Sequence, residues 1–222
     1  MRPAAAVLRL AVAILIIAAI VGQLVHSFAF WAANGVQHVE ISVWNFFSFF
    51  TIQSNVLTIV AFAVGAVFLL RTRGLEPSRW TTFRACVATY MIVTGVVAPP
   101  QGNTLAWADA VLHGVGPVAV RRAWLLAPGR GRLAWSRIWI IVIYPIVWIV
   151  YTLIRGPFIT NEVTGAPYWY PYPFLDPNLP GASYLTVAGY SVVIAIAIIG
   201  FGLLVVLLSR RMRPLATELA TA

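Results

Sequence analysis

The stretch NFFSFFTIQSNVLTIVAFAVGAVFLL, from Asn45 to Leu70, has a polar first half and an apolar second half. At about 1.5 Å per residue, it is long enough to cross the ~30 Å hydrocarbon layer of a bilayer as one helix. The first half places polar side chains at helical spacing on one face, namely Ser48, Thr51, Asn55 and Thr58. Polar groups facing lipid lose their water without replacement, so this face is predicted to line a protein interior or a wet cavity.

The composition of the whole chain is that of an integral membrane protein. Of its 222 residues, 61% are hydrophobic and 9% are charged. The formal net charge of +9 comes from fifteen basic residues, all arginine, in short clusters between apolar runs. This pattern indicates membrane topology rather than nucleic-acid binding. The arginine and alanine usage is typical of a GC-rich bacterial genome, so a multi-pass protein of the plasma (inner) membrane is predicted.

Six apolar segments predict an all-α polytopic fold in a single integral membrane domain, residues 1–222. The first segment is interpreted as a membrane helix because its apolar run is longer than a usual signal-peptide core. The approximate spans are 7–32, 45–70, 83–99, 104–126, 137–155 and 183–208. Arginine clusters alternate along the chain, at the N-terminus, after spans two and four, and at the C-terminus. By the positive-inside rule, both termini are cytoplasmic and loop 156–182 is external.

This topology brings polar side chains from several spans together in the outer half of the membrane. The predicted pocket residues are His26, Ser48, Gln53, Asn55, Tyr151 and Arg155. Two prolines lie within predicted helices: Pro117 removes the amide donor for the carbonyl of His113, and Pro145 removes the donor for Ile141. A kink is predicted at Pro117, and each freed carbonyl needs another partner.

The external loop, GPFITNEVTGAPYWYPYPFLDPNLPGA, is rich in proline and aromatic residues. A loop of this length is usually functional or disordered. Trp169, Tyr172 and Phe174 are predicted to form a lid over the pocket. An aromatic belt at the membrane interface is an equally good interpretation.

Thr51, Asp109 and His113 are the candidate catalytic residues. Asp109 and His113 are four residues apart on one helical face, where a carboxylate can orient an imidazole base beside a hydroxyl nucleophile. Structural roles remain open: Asp109 favours a helix N-terminus, Thr51 can bond back to the Phe47 carbonyl, and His113 can pack between helices. The lone Cys86 excludes an internal disulfide and a cysteine metal cage. His26 and His113 alone are too few ligands for a metal ion or a haem, so no metal and no cofactor are predicted.

Three motifs resemble the androgen-induced-protein family of multipass membrane proteins, and its bacterial branch most closely. They are Phe49-Phe50-Thr51, the run Trp107 to His113 followed by Pro117, and Val163-Thr164-Gly165 followed by Trp169 and Tyr172-Pro173-Phe174-Leu175. The resemblance covers most of the chain in matching order.

The resemblance implies a threonine hydrolase that cleaves fatty acid esters of hydroxy fatty acids inside the membrane. Thr51 matches the family's catalytic threonine. The family carries two histidines three residues apart and uses the first; here Ala110 occupies that position and His113 the second. Either His113 serves in a shifted register, or the activity differs from that of the family.

The predicted function is therefore hydrolysis of a lipid ester drawn from the bilayer. Thr51 is the nucleophile, His113 the base and Asp109 its orienting group, with Asn55 as an oxyanion donor. The alternative is a non-enzymatic lipid-binding or transport protein that uses the same pocket. Anionic lipids are the predicted partners of the cytoplasmic arginine clusters, and no nucleic-acid partner is predicted.

Overall fold

The computed structural model describes residues 2–72, 74–97, 103–126 and 130–211, and the helices found there pack as one bundle without strands. Three predicted positions lie outside the described residues: the end of span three at Pro99, and two members of the arginine clusters, Arg73 and Arg213. The helices are α1 (Arg2–Ala33), α2 (Val39–Ser48), α3 (Phe50–Arg71), α4 (Ser78–Val96), α5 (Ala106–Asp109), α6 (Gly116–Leu126), α7 (Ile138–Arg155) and α8 (Tyr184–Arg211). A π-helical segment, Ala110–Val115, joins α5 to α6.

Among the described residues, four helical segments are long and apolar enough to cross a membrane. They are Arg2–Ala33, Phe50–Arg71, Trp135–Phe158 and Tyr184–Arg211. Large apolar side chains on α1, α7 and α8 point away from the bundle, including Val7, Ile14, Ile143, Ile154, Val193 and Ile196. An exposed apolar surface of this kind is expected of a protein surrounded by lipid.

Helix α4 lies at the centre of the bundle and packs against α3, α6, α7 and α8. It is rich in threonine, and Thr81, Thr89 and Thr94 are fully or almost fully buried. A helix covered by protein on every side does not need a lipid-compatible surface. This explains why α4, predicted as the third span, lacks the hydropathy of the four segments above.

The predicted span 45–70 is not one helix, because the chain leaves the helical conformation at Phe49 (φ −65°, ψ 130°). The Ser48 carbonyl, at the end of α2, accepts a hydrogen bond from Trp148 Nε1 at 2.9 Å. Helix α3 therefore begins at Phe50, next to Thr51, and its first amide donors are free for other partners.

Side chains from neighbouring helices bind the carbonyls that the two prolines leave free. In the π-helical segment Gly116 N–H donates to the Val111 carbonyl, so neither Gly116 nor Pro117 can donate to Leu112. Asn55 Nδ2 donates to that Leu112 carbonyl at 3.2 Å. The π-helical register thus frees the carbonyl of Leu112. The α-helical register predicts the carbonyl of His113, one residue later.

The second proline, Pro145, follows the prediction for its helix. The Tyr90 hydroxyl of α4 donates to the Ile141 carbonyl of α7 at 2.8 Å. Ile141 and Tyr90 are both buried, with 0% and 2% of their surfaces exposed. Each proline thus creates a hydrogen-bond acceptor at which an adjacent helix docks.

We predict that Tyr90→Phe lowers the free energy of unfolding by about 1–3 kcal/mol, because it leaves the buried Ile141 carbonyl without a donor. Thermal unfolding in nanodiscs measures the change. Tyr190→Phe is the matched control, since Tyr190 is 51% exposed on α8. Adding Pro145→Ala to Tyr90→Phe restores a backbone donor for Ile141 and should recover part of the loss; no difference between Tyr90→Phe and the control would contradict the role of this bond.

Candidate active site

Thr51 lies in the first turn of α3 and is held by a tyrosine from the distant 156–182 loop. The Thr51 N–H donates to the Tyr172 hydroxyl at 3.3 Å, and Thr51 Oγ1 lies 3.2 Å from the same oxygen. Phe49 provides no side-chain cap for α3, so Tyr172 caps the helix in its place. Burial raises the pKa of the Tyr172 phenol, which therefore stays protonated and able to donate at neutral pH.

A cavity of about 270 Å³ opens beside Thr51, and we call it the polar cavity. Polar side chains from α1, α2, α3, the α5–π-helix segment and the 156–182 loop line it. Its lining is Gln23, Ser27, Phe30, Trp31, Ser42, Asn45, Phe46, Phe49, Thr51, Ile52, Asn103, Thr104, Asp109, Leu112, His113, Asn161, Glu162, Val163 and Trp169. All three candidate catalytic side chains therefore open on one cavity.

A second cavity, of about 210 Å³, lies between α3, α4, α7 and α8, and we call it the apolar cavity. Its lining is Phe50, Thr51, Val93, Thr94, Val97, Trp139, Val142, Pro145, Ile146, Trp148, Ile149, Tyr172, Phe174, Ser191, Ile194, Ala195, Ile198 and Ile199. Thr51 belongs to both linings, so its side chain stands where a polar space and an apolar space meet.

His113 is oriented by a backbone carbonyl of α4. Its Nδ1 lies 2.9 Å from the Thr94 carbonyl oxygen, which can only accept, so Nδ1 carries the proton. In the neutral ring Nε2 is then the atom free to accept a proton. Asp109 Oδ1 lies 3.8 Å from Nε2, not beside Nδ1. The Thr94 carbonyl therefore takes the Nδ1 side of the ring and Asp109 the Nε2 side, and the predicted role of Asp109 as orienting group stays a prediction.

Asn55 does not occupy the position of an oxyanion donor. Its Nδ2 donates to the Thr51 carbonyl at 2.9 Å and to the Leu112 carbonyl at 3.2 Å, which uses both amide protons. The residue is completely buried and absent from both cavity linings. Its Oδ1 has no hydrogen-bond partner among the described residues, and a Cβ at Gly116 would lie 3.0 Å from it. Asn55 joins α3 to the π-helical segment.

Five other residues predicted for the pocket lie outside the polar cavity, namely His26, Ser48, Gln53, Tyr151 and Arg155. Ser48 Oγ donates to the Trp44 carbonyl at 2.9 Å and lies 3.0 Å from the Tyr151 hydroxyl. Gln53 bonds the Phe47 carbonyl at 2.8 Å and accepts from Tyr144. Ser48 and Gln53 therefore connect α2 and α3 to α7.

Arg155 contacts two residues that line the polar cavity, Asn45 and Trp169. It donates to Asn45 Oδ1 at 2.7 Å, and its guanidinium lies 5.6 Å from the ring centre of Trp169. Helix α1 contributes Gln23 and Ser27 to the cavity instead of His26. Gln23 holds the start of α5, donating to the Asn103 carbonyl at 2.9 Å and accepting the Leu105 N–H at 2.8 Å.

The 156–182 loop folds inward over the site. Trp169 lines the polar cavity, while Tyr172 and Phe174 line the apolar one. The Tyr172 and Phe174 rings stack at 5.1 Å between centres. The arrangement is that of a lid, since Tyr172 itself is only 4% exposed.

Three more residues of this loop line the polar cavity and are not among the predicted pocket residues, namely Asn161, Glu162 and Val163. The loop folds back at this point because the Gly165 N–H donates to the Asn161 carbonyl at 2.7 Å, with Gly165 at φ +74°. The Asn161 side chain also accepts the Val163 N–H at 3.1 Å. Asparagine, whose side chain can bond the backbone amide two residues on, and glycine, which readily adopts a positive φ, are turn residues that could have identified this corner.

Within the described residues, no group of three or more His, Cys, Asp or Glu side chains is arranged to hold a metal ion. Comparisons of the chain with protein-family models, with curated proteins and with solved structures give no match.

We predict that Tyr172→Phe keeps the lid packed but frees the first turn of α3. The ring contacts remain, whereas the buried Thr51 N–H loses its acceptor, so the free energy of unfolding should fall by about 1–3 kcal/mol. Hydrogen exchange resolves the effect locally, as faster exchange at the start of α3. Tyr168→Phe, in the same loop but outside both cavity linings, is the control; equal exchange in the two variants would show that Tyr172 does not cap α3.

Proposed function

We propose that the protein hydrolyses a lipid ester within the membrane, with Thr51 as the nucleophile. The position of Thr51 on the walls of both cavities is the observation that carries the proposal. A lipid ester joins a polar carbonyl to long apolar chains. A hydroxyl at the junction of a polar and an apolar space is therefore suited to meet the ester carbonyl while a chain lies in the apolar cavity.

In the proposed reaction, Thr51 Oγ attacks the ester carbonyl carbon and its proton passes to His113 Nε2. The tetrahedral intermediate then collapses, the bond to the alcohol oxygen breaks, and the imidazolium returns the proton to that oxygen. A water molecule, activated by the same imidazole, hydrolyses the acyl-threonine and releases the fatty acid. Asp109 Oδ1, at 3.8 Å from Nε2, lies beside the nitrogen that carries the proton between these steps.

Tyr172 is suited to orient the nucleophile. Its hydroxyl accepts the Thr51 N–H, which leaves its own proton to donate to Thr51 Oγ1. The Thr51 proton is then directed away from Tyr172, toward the polar cavity that holds His113. The positive end of α3, where Thr51 lies, replaces Asn55 as the proposed source of oxyanion stabilisation.

The proposed membrane arrangement has six spans, formed by α1, α3, α4, the α5–α6 segment, α7 and α8. Both termini are cytoplasmic, and the protein is placed in the bacterial plasma membrane. The alternation of the arginine clusters supports this orientation. The active site then faces the outer leaflet, from which the lipid substrate enters.

The resemblance to the androgen-induced-protein family supports the same reaction, with fatty acid esters of hydroxy fatty acids as the substrate class. Such an ester has two hydrocarbon arms, and two cavities meet at Thr51. Ala110 at the family's histidine position makes His113 the proposed base here.

Binding or transport of a lipid without hydrolysis is the second candidate. Among the described contacts, Thr51 and His113 share no direct hydrogen bond, and this favours a binding role. A bridging water or the substrate itself must complete the proton path in the hydrolase.

We predict that Thr51→Ala and His113→Ala each lower kcat for ester hydrolysis by at least about a hundredfold, because each removes part of one proton-transfer unit. The double variant should be little slower than either single variant. Turnover of a fatty acid ester of a hydroxy fatty acid by purified protein in nanodiscs is the measurement.

The controls for this experiment are Thr58→Ala and His38→Ala. Thr58 is buried on the same helix but bonds the Ser54 carbonyl, and His38 is exposed at the start of α2. Both should retain activity. Full activity in Thr51→Ala would remove the nucleophile and leave lipid binding as the better account.

For topology, a reporter fused after Ala222 is expected to be cytoplasmic, and one inserted near Gly165 external. The basis is the positive-inside distribution of arginine. Paired alkaline phosphatase and fluorescent-protein fusions measure both positions. The opposite location at either position would overturn the proposed orientation.

A further inference from the structure

Three buried arginines meet at the end of the bundle opposite Thr51, and we call them the arginine cluster: Arg9, Arg84 and Arg130. They expose only 4%, 6% and 6% of their surfaces. A Cβ at Gly65 would lie 2.6 Å from Arg9 Nη1, so Arg9 packs directly against α3. Gly65 lies fourteen residues after Thr51, about 21 Å along the helix. The cluster is therefore separate from the proposed active site.

The cluster carries more positive charge than its protein surroundings neutralise. Glu76 is the one carboxylate near it in the described residues, and it pairs with Arg84 at 2.5 Å. Three guanidinium groups against one carboxylate leave two positive charges buried. Arginine cannot lose its proton in a protein, so deprotonation offers no relief. Burying an uncompensated charge is strongly unfavourable, which calls for a counter-anion.

Arg84 and Arg130 are anchored, whereas the end of Arg9 is not. Arg84 also donates to the Ala123 carbonyl at 3.1 Å, and Arg130 donates to the carbonyls of Trp124 and Leu208. Both guanidinium groups lie over the Trp124 ring, at 5.8 and 5.1 Å from its centre. Arg9 Nη1 and Nη2 are buried without a hydrogen-bond partner among the described residues.

Other buried donors at this end of the bundle are unpaired as well. Trp124 Nε1 and Thr81 Oγ1 have no partner within the described part of the chain, and neither does one acceptor beside the cluster, Glu76 Oε1. Helix α1 has 32 residues, about 48 Å, so a helix that is upright and centred in a ~30 Å hydrocarbon layer would extend beyond it by about 9 Å at each end. Arg9, about 10 Å from the helix start, is thus at the depth where lipid headgroups meet the hydrocarbon.

We propose that the arginine cluster binds a phosphate-type oxyanion, supplied by an anionic phospholipid headgroup or by free phosphate. Phosphate oxygens match the planar fork of guanidinium donors, and a phosphate group offers enough acceptors for several donors at once. The exposed arginines around the bundle attract anions only in a screened, non-specific way. Arg9 differs from those exposed arginines because its guanidinium group is buried and its two terminal nitrogens have no partner among the described residues.

The test compares wild type with Arg9→Met in nanodiscs of pure phosphatidylcholine, with thermal unfolding as the readout. In one arm inorganic phosphate is added at constant ionic strength, with chloride as the comparison. In the other, anionic phosphatidylglycerol replaces part of the lipid. Arg79→Met is the matched control, because Arg79 is exposed on the same end of α4 and the change in charge is identical.

The wild type and Arg79→Met should gain about 5–10 °C in Tm at a ligand concentration about a hundredfold above Kd, and Arg9→Met should gain little. A response to phosphate in pure phosphatidylcholine identifies a free anion, and a response to phosphatidylglycerol alone identifies a headgroup. Equal gains in wild type and Arg9→Met, or no gain in either arm, would overturn the proposal.

A second variant guards against a folding defect in Arg9→Met. Arg130→Met removes the same charge from the loop side of the cluster and should lose the same response. Native mass spectrometry of the wild type gives an independent readout, in which one phosphate or one anionic lipid is expected to bind when it is added to the protein in phosphatidylcholine nanodiscs. A wild type that carries neither contradicts the proposal.

Discussion

The bundle depends on satisfying the backbone carbonyls that its two prolines leave free. In a membrane no water is available to bind such a carbonyl, so a protein donor has to reach it. Asn55 reaches the Leu112 carbonyl and Tyr90 reaches that of Ile141. These bonds fix α3 against the π-helical segment and α4 against α7. The relative positions of Thr51 and His113 follow from the first of them, since Asn55 is one turn from Thr51 and Leu112 precedes His113.

The same requirement accounts for the lid. The helix break at Phe49 leaves the first amides of α3 buried and without acceptors in their own helix. A tyrosine hydroxyl from the 156–182 loop accepts a hydrogen bond from one of them. The bond that caps α3 thereby brings Tyr172 to the side chain of Thr51. One residue, Tyr172, therefore both caps α3 and contacts the Thr51 hydroxyl. At the other end of the bundle, the arginine cluster has buried positive charge and unpaired donors. The described protein atoms supply too few acceptors for them.

Much of the arrangement could be predicted from residue pattern. The helical character, the apolar spans at α1, α3, α7 and α8, the acceptor at Ile141 and the burial of a polar face around Thr51 all follow from hydropathy, periodicity and proline chemistry. The helix break at Phe49 could not, because neither glycine nor proline marks it and its partners come from α7 and the distant loop. Six spans and cytoplasmic termini stay predictions.

The site shows the limit of helical spacing more clearly. Asp109 and His113 share a face as predicted, yet spacing cannot tell which ring nitrogen the carboxylate meets, and the Thr94 carbonyl takes the Nδ1 side of the ring. Backbone acceptors carry no sequence signal. Asn55 lies one turn from Thr51 as predicted, but its amide donates to the Thr51 carbonyl and to the Leu112 carbonyl, and only the π-helical register exposes the second of these.

The central claim is that Thr51 is a nucleophile activated by His113, and covalent labelling tests it most directly. Purified protein in nanodiscs is treated with a fluorophosphonate probe, and the labelled residue is mapped by peptide mass spectrometry. The account predicts a single adduct on Thr51 whose rate of formation falls at least about a hundredfold in His113→Ala. Labelling at another residue, or labelling of Thr51 that is unaffected by His113→Ala, would contradict it.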